Sequence, residues 1–292
     1  MKRSKWEWTG DALNVVLLTA TAAVMFFPFY YLVVVSFATY EEYLTADLLL
    51  WPRQWVLDAY KYIFESKEFI RSIGVTVFVT ITGTLVNLVF TATMAYALTR
   101  RLPGQRGFMF LVLFTFIFSP GIIPTYLIVK ATGLIDSYWA LILPSAINAF
   151  NLIVMRAFFM SIPEELNEAA VIDGANELQS FFRLIVPLSK PAFAAFGLFY
   201  AVYHWNTYFT AILYINDSTK WTVQVILRQM VLLNDTTNSL SAARDAARAG
   251  SPPPVETIGM AAILLATVPI LIVYPFLQRH FAKGVMLGSV KG

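Results

Sequence analysis

Ser72–Leu98 reads SIGVTVFVTITGTLVNLVFTATMAYAL: 27 residues without one Asp, Glu, Lys or Arg. A helix of that length and character is long enough to cross the hydrocarbon of a bilayer, which takes about 20 apolar residues. Five more charge-free windows accompany it: Leu13–Phe37, Phe108–Val129, Ser137–Met155, Pro191–Asn216 and Thr257–Gln278. Together the six hold 141 of the 292 residues. At the chain's own charge frequency about 18 charges would fall there by chance. A backbone in lipid must satisfy its polar groups internally, so each window predicts a helix. The expected fold is an all-α membrane protein with six transmembrane helices, over 13–37, 72–98, 108–130, 137–160, 191–216 and 257–278, in a single domain of 1–292.

The composition agrees. Hydrophobic residues make up 58% and charged residues 13%, against roughly a quarter charged in soluble domains. Six such runs leave too little polar surface for a soluble core. Nucleic-acid binding, disorder and a small secreted scaffold are excluded on the same ground. The chain has no cysteine, so there is no disulfide framework, no thiolate metal site and no cysteine nucleophile. The first window is longer than a signal-peptide core and no clear cleavage pattern follows it, so it is read as a retained helix.

Charge sets the orientation. An even number of crossings puts both termini on one side. The flanks on that side hold 12 positive and 7 negative charges; the opposite, longer loops hold 9 and 11. The positive-inside rule places both termini in the cytoplasm. Tyr30, Tyr31, Trp51, Trp55, Trp139 and Trp221 fall near the outer boundaries, where amphipathic rings settle.

Local signals refine the helices. Thr76, Thr80, Thr82, Gly83 and Thr84 suit close helix packing in lipid. Ser119-Pro120-Gly121 and Pro124 interrupt the third helix, because proline removes a backbone donor. A break at membrane depth persists only where it is packed in protein or lines a cavity; a packing kink and a pathway role both fit. Outside the bilayer, helical runs are expected over Leu57–Lys67, Trp221–Leu233 and Ser239–Ala249, with Ser251-Pro252-Pro253-Pro254 as a stiff approach to the last crossing.

The stretch from Arg156 to Lys190 is too long for a plain connection. Ser161, Pro163 and Glu164 give a helix start with a capping box. Glu164, Glu165 and Glu168 place acidic charge near the positive end of that helix, and Gly174 stops it. A second run sets Ala175, Leu178, Phe181 or Phe182, and Ile185 on one face, and Pro187 and Pro191 bracket entry to the fifth crossing. The whole is a helix–turn–helix platform at the cytoplasmic surface. As it stands it serves either as an interfacial amphipathic element or as a docking surface for a soluble partner.

Within it, Glu168-Ala169-Ala170, three residues, Gly174, nine residues, then Leu184-Ile185-Val186-Pro187 resembles the signature loop of ABC-importer permeases, E-A-A-x3-G-x9-I-x-L-P. Leu184 and Val186 are conservative departures. Glu168 through Ala175 is similar to the carbohydrate-importer branch. The segment Gln278–Gly284, with the ending Gly288-Ser289-Val290-Lys291-Gly292, resembles the tail of the maltose-type G permease family. The long third outer loop and Ser119–Pro124 resemble the subgroup that imports aldouronate, alginate and related oligosaccharides. The resemblance spans essentially the whole chain.

It implies a type I ABC importer permease architecture with a cytoplasmic coupling-helix loop over 161–190. Glu164, Glu165, Glu168, Ala169, Ala170, Asp173, Gly174 and Pro187 would meet a cytoplasmic ATPase, and the tail over 279–292, with Arg279, Lys283 and Gly284, would reach between two copies of it. Also implied are a second, homologous permease subunit, a periplasmic or lipid-anchored solute-binding protein, an oligosaccharide substrate and the lipid of a bacterial inner membrane. The chain binds no cofactor in this reading and is not an enzyme. ATP and Mg would sit on the ATPase subunits, since the chain has no G-x-x-x-x-G-K-[ST] loop.

Polar groups in a bilayer tend to face the bundle interior. Asn87 lies near the middle of the second window. Asn148 and Asn151 share a face of the fourth at i, i+3. His204, Trp205, Asn206 and Tyr208 cluster in the fifth. Amides and aromatic rings suit a sugar's hydroxyls and ring faces, so these seven are candidate pathway residues. Interhelical hydrogen bonding, at about 0.6 kcal/mol per contact, accounts for the same residues. A self-sufficient secondary transporter or channel is the competing function; it usually needs an intramembrane acid or Arg for coupling-ion chemistry, and these windows have none. A membrane enzyme would need a metal or nucleophile cluster, and His204 and His280 lie at opposite levels.

Overall fold

The computed structural model describes residues 5–100, 103–237 and 255–285; the expected helix at Ser239–Ala249, Ser251–Pro254 and the last seven residues lie outside them. Among the described residues there is no strand. The helices are α1 (Lys5–Ser36), α2 (Tyr40–Thr45), α3 (Asp58–Glu65), α4 (Lys67–Ala97), α5 (Gln105–Ile117), α6 (Ile122–Ala131), α7 (Trp139–Ile142), α8 (Ala149–Met160), α9 (Glu164–Ile172), α10 (Glu177–Ser180), α11 (Val186–Leu188), α12 (Lys190–Trp205), α13 (Phe209–Tyr214), α14 (Val223–Thr237) and α15 (Val255–Val285). A π-turn, Phe181–Ile185, joins α10 to α11.

Three helices are long and apolar enough to cross a membrane unbroken: Leu13–Ser36, Lys67–Ala97 and Glu256–Val273. Three more crossings arise if each bent pair counts once: α5 with α6 at 120°, α7 and its 3-10 extension with α8 at 53°, and the α10–α11 run with α12 at 81°. The α5–α6 bend falls at Ser119-Pro120-Gly121, where Gly121 takes φ +82°. Two breaks differ from the continuous helices expected. The 137–160 window opens at Ala146–Asn148, after a 3-10 turn at Leu143–Ser145. The 191–216 window opens at Asn206–Tyr208. In both, a short polar side chain helps satisfy backbone groups at the break: Asn148 Oδ1 accepts from Asn151 N at 3.1 Å, and Asn206 Nδ2 donates to the Val202 carbonyl at 2.8 Å.

The chain divides into two compact units, Met1–Ile70 with Leu227–Val268, and Arg71–Ile226 with Pro269–Gly292. In the first, Val34, Ala38 and Leu49 form a small core, and Phe37 packs against Trp55 and Tyr60. Most of α1 from Leu13 to Phe29 leaves its large apolar side chains exposed. That much uncovered apolar surface fits lipid rather than water.

The second unit is organised along α4. Near its start, Val75 and Val79 pack with Val129, Ala140–Ile142, Tyr214 and Val225. Near its end, Ala92, Ala95 and Tyr96 pack with Leu152, Met155, Phe159, Phe181, Ile185 and Phe196. Val79 and Ala95 are about 24 Å apart along the axis, at about 1.5 Å per residue. Thr76 and Thr91 of α4 bond other helices between and beside these cores. Thr76 Oγ1 accepts the Val223 N–H at 2.8 Å, closing the first turn of α14, and the Thr91 and Tyr200 hydroxyls pair at 2.7 Å.

One short connection is tied by Asp136, which sits at φ +62°. Its carboxylate accepts from the backbone N–H groups of Asn216 and Asp217 at 2.7 and 2.9 Å. The Asp217 N–H, helped by Asn216 and Lys220, holds the Asp136 carboxyl below the ordinary carboxylate range and outweighs its slight desolvation.

Candidate functional site

A cavity of about 590 Å³ opens in the second unit where the breaks meet. Asn87 reaches it from α4, Thr115 and Phe116 from α5, Ser119 from the α5–α6 break, Pro144, Ser145 and Ile147 to Asn151 from the α7–α8 break, and Phe199, Tyr200 and Tyr203 from α12. Its lining joins amide, hydroxyl and aromatic groups with Pro144, Ile147 and Ala149, and has no charged side chain. Such a wall can pair with hydroxyls and stack on ring faces without holding an ion tightly.

The candidate residues separate. Asn87, Asn148 and Asn151 line this cavity. His204 does not. It is fully buried behind Asn87, with Nε2 at 3.0 Å from Asn87 Oδ1, and Asn87 Nδ2 donates to the Ser145 carbonyl at 2.5 Å. This chain of bonds ties α4, α12 and the α7–α8 break at one level. The imidazole lies flat against Gly83, where a Cβ would stand 2.5–2.7 Å from three of its ring atoms. Trp205 instead lines an apolar cavity of about 260 Å³ with Val77, Ile81 and Pro269. Asn206 caps the end of α12. Tyr208 packs on the core near the start of α4. Thr115, Ser145 and Tyr203 were not singled out from the sequence; Ser119 was, as part of the Ser119-Pro120-Gly121 break, for which a pathway role was one of two readings.

The α9–α11 platform is the second feature. Helix α9 ends at Asp173, and Gly174 at φ +80° reverses the chain. Ala175 N bonds the Ala170 carbonyl at 2.9 Å and Gly174 N bonds that of Val171 at 3.0 Å, the paired bonds of a Schellman stop. The capping box falls at Asn176 and Gln179, not at Ser161. Ser161 closes α8, its hydroxyl donating to the Phe158 carbonyl, and Pro163 precedes α9 without a side-chain cap. The physical reason is that Ser161 still lies within the last turn of α8, so its hydroxyl is used backwards.

The expected apolar face of the second run also splits. Phe181 and Ile185 are buried, while Leu178 and Phe182 are exposed, as are Val171 and Ile172 at the end of α9. The π-turn adds a residue to the helical repeat and rotates Phe182 away from Ile185. Glu164, Glu165, Glu168, Ala169, Asp173 and Pro187 are exposed around this patch, and Ala170 is half-buried. The backbone of Arg279, Lys283 and Gly284 is within α15; their side chains lie outside the described residues.

The platform is fastened to the end of α4. Arg100 pairs with Glu177 (Nε to Oε2, 3.0 Å), donates to Asn167 Oδ1 at 2.9 Å and to the Tyr96 hydroxyl, and lies over the Tyr96 ring. Tyr96 in turn donates to Glu177 Oε2 at 2.7 Å. One guanidinium therefore joins α4, α9 and α10. A fork of fixed donors suits that task better than an ammonium.

Residues 103–287 match the family of binding-protein-dependent transport system inner membrane components. The chain belongs to that family and is a membrane permease component. It is 52% identical, over 97% of its length and 98% of the relative's, to the polygalacturonan/rhamnogalacturonan transport system permease protein YtcP of Bacillus subtilis. It is 50% identical to protein LplC of the same organism, over all of this chain and 98% of that one. Among solved structures it matches a bacterial ABC transporter involved in the import of the acidic polysaccharide alginate. That match has a TM-score of 0.89 and 33% identity, and covers 96% of this chain and 99% of the other.

Proposed function

We propose that the chain forms half of the membrane pathway of an ATP-driven importer for oligosaccharides that carry uronic-acid residues. The observation that carries the transport reading is the uncharged amide and aromatic cavity, set where three interrupted crossings of a permease-family chain come together. The acidic-sugar reading is supported by the polygalacturonan/rhamnogalacturonan relative and the alginate-transporter structure. The termini are cytoplasmic, as the charge balance favours. A second permease completes the pathway, a solute-binding protein delivers the sugar outside, and two copies of a cytoplasmic ATPase hold the ATP and Mg.

Coupling runs through the α9–α11 platform. Val171, Ile172, Leu178 and Phe182 offer an apolar surface to an ATPase cleft, rimmed by Glu164, Glu165, Glu168 and Asp173. Gly174 and Pro187 shape its turn and its exit, Ala169 and Ala170 keep α9 slim, and the tail around Arg279, Lys283 and Gly284 adds a second contact. The Arg100 fastening passes movement of the platform to α4, and so to Asn87 and the cavity. Glu168 is exposed, so its reversal does not disturb packing. Glu168→Lys is expected to insert normally and to lower ATP-driven uptake of trigalacturonate by about tenfold, a loss that needs only about 1.4 kcal/mol of like-charge repulsion at a docking rim. Uptake at the wild-type rate in that variant would refute the coupling role.

A further inference from the structure

The cavity holds a group that hydrogen bonding among the described residues does not use. Helix α8 begins in its wall, at Ala149. Asn148, the N-cap, engages the Asn151 N–H. The N–H groups of Ala149 and Phe150 belong to the first turn, which has no carbonyl partner within the helix, and both residues line the cavity. Beside them stands the Asn151 side chain. The residue is only 8% exposed, yet its amide makes no hydrogen bond to any described residue, and it too lines the cavity. The amide is not among the described side-chain atoms sealed away without a partner, so it is open to the cavity. Here it borders empty space next to the positive end of a helix.

We propose that the first turn of α8 and the Asn151 amide form a carboxylate subsite for a uronic-acid residue in transit. This rests on the oligosaccharide reading above and assigns the atoms that meet the acid. Two backbone N–H groups and one side-chain NH2 supply hydrogen bonds, and the helix end supplies positive potential. The cavity has no lysine or arginine in its lining, and that absence suits transport. An empty site with a buried cation would leave that charge uncompensated. Fixed peptide dipoles carry no net charge, and they release an anion more readily. Phe116, Phe150 and Tyr203 flank the same space and offer faces to the sugar ring.

The chain has no cysteine, so Asn151→Cys gives a single reporter in it. In the assembled transporter in nanodiscs, labelling of this chain is followed by mass with an anionic reagent, 2-sulfonatoethyl methanethiosulfonate, and its cationic trimethylammonioethyl counterpart. The anionic-to-cationic rate ratio is expected to exceed that of 2-mercaptoethanol by about tenfold, the factor that a difference of about 1.4 kcal/mol between the two reagents gives. Trigalacturonate is expected to slow anionic labelling severalfold, and maltotriose at equal concentration is not. Asn148→Cys, at the same mouth, repeats the reading should the first variant not assemble.

A ratio equal to that of 2-mercaptoethanol, or no labelling at either position, overturns the subsite. Anionic preference without protection by trigalacturonate overturns the assignment of its ligand. The rate ratio needs no transport, so it stands or falls apart from the oligosaccharide reading, whereas wild-type proteoliposomes that fail to take up trigalacturonate would count against that reading alone.

Discussion

Gly174→Val should leave the protein in the membrane and lower ATP-driven uptake by about tenfold or more, with less ATPase recovered on purification. Gly174 is held at φ +80°, in the left-handed region, where an L side chain costs about 1–2 kcal/mol and a β-branched one is least at home. The space around it is open, with nothing within 4 Å of an added Cβ, so the harm comes from the backbone and not from a clash. Relieving the strain means giving up the Ala175–Ala170 and Gly174–Val171 bonds. These set the angle between α9 and α10, and with it the spacing of Ile172 and Leu178, 85% and 70% exposed. A docking surface that must fit a cleft tolerates little change in that spacing. Gly174→Ala should fall between wild type and valine. Valine uptake within twofold of wild type would mean that the elbow's shape is not read by any partner.

Gly83→Val should produce a large loss of stability just behind the cavity wall. A Cβ there meets three His204 ring atoms at 2.5–2.7 Å, and the ring has no room to retreat because His204 is fully buried. Overpacking of this kind costs about 1–3 kcal/mol. Displacing the ring also breaks its bond to Asn87 Oδ1 and loosens the Asn87–Ser145 tie. In a melting experiment on the purified chain in detergent, Tm is expected to fall by about 5 °C or more. His204→Ala added to Gly83→Val should recover part of the loss, since the two positions are in contact and couple. Additive losses would show that the two do not meet.

These residues mark how far the sequence can be read. The crossings were legible because charge is excluded from hydrocarbon, and that exclusion is written into runs such as Ser72–Leu98. Gly174 was legible because a helix stop at positive φ favours glycine, and the bend at Pro120 because proline lacks a donor. The openings at Ala146–Asn148 and Asn206–Tyr208 were not, because both lie inside charge-free windows, and their marks, Pro144-Ser145 before the first and the polar run His204–Tyr208 across the second, also suit pathway side chains on unbroken helices. The phase of α12 was hidden for the same reason: Tyr203 faces the cavity and His204, the next residue, faces α4. Ser161 and Asn176 are both plausible caps by composition, and only the length of α8 decides between them. Arg100 counted in the sequence merely as a positive charge, because Asn167 and Glu177 lie 67 and 77 positions away.

The most direct test of the account is a cross-link from the platform. Ile172→Cys places a thiol on the most exposed apolar residue of the elbow, in a chain with no other cysteine. Derivatised with a photoreactive benzophenone maleimide in the assembled importer, it should give one adduct between this chain and the ATPase subunit, and its yield should change when ATP is bound. Adducts to lipid only, or labelling of that thiol by an impermeant reagent added outside intact cells, would contradict the claim that this segment is where the motor takes hold.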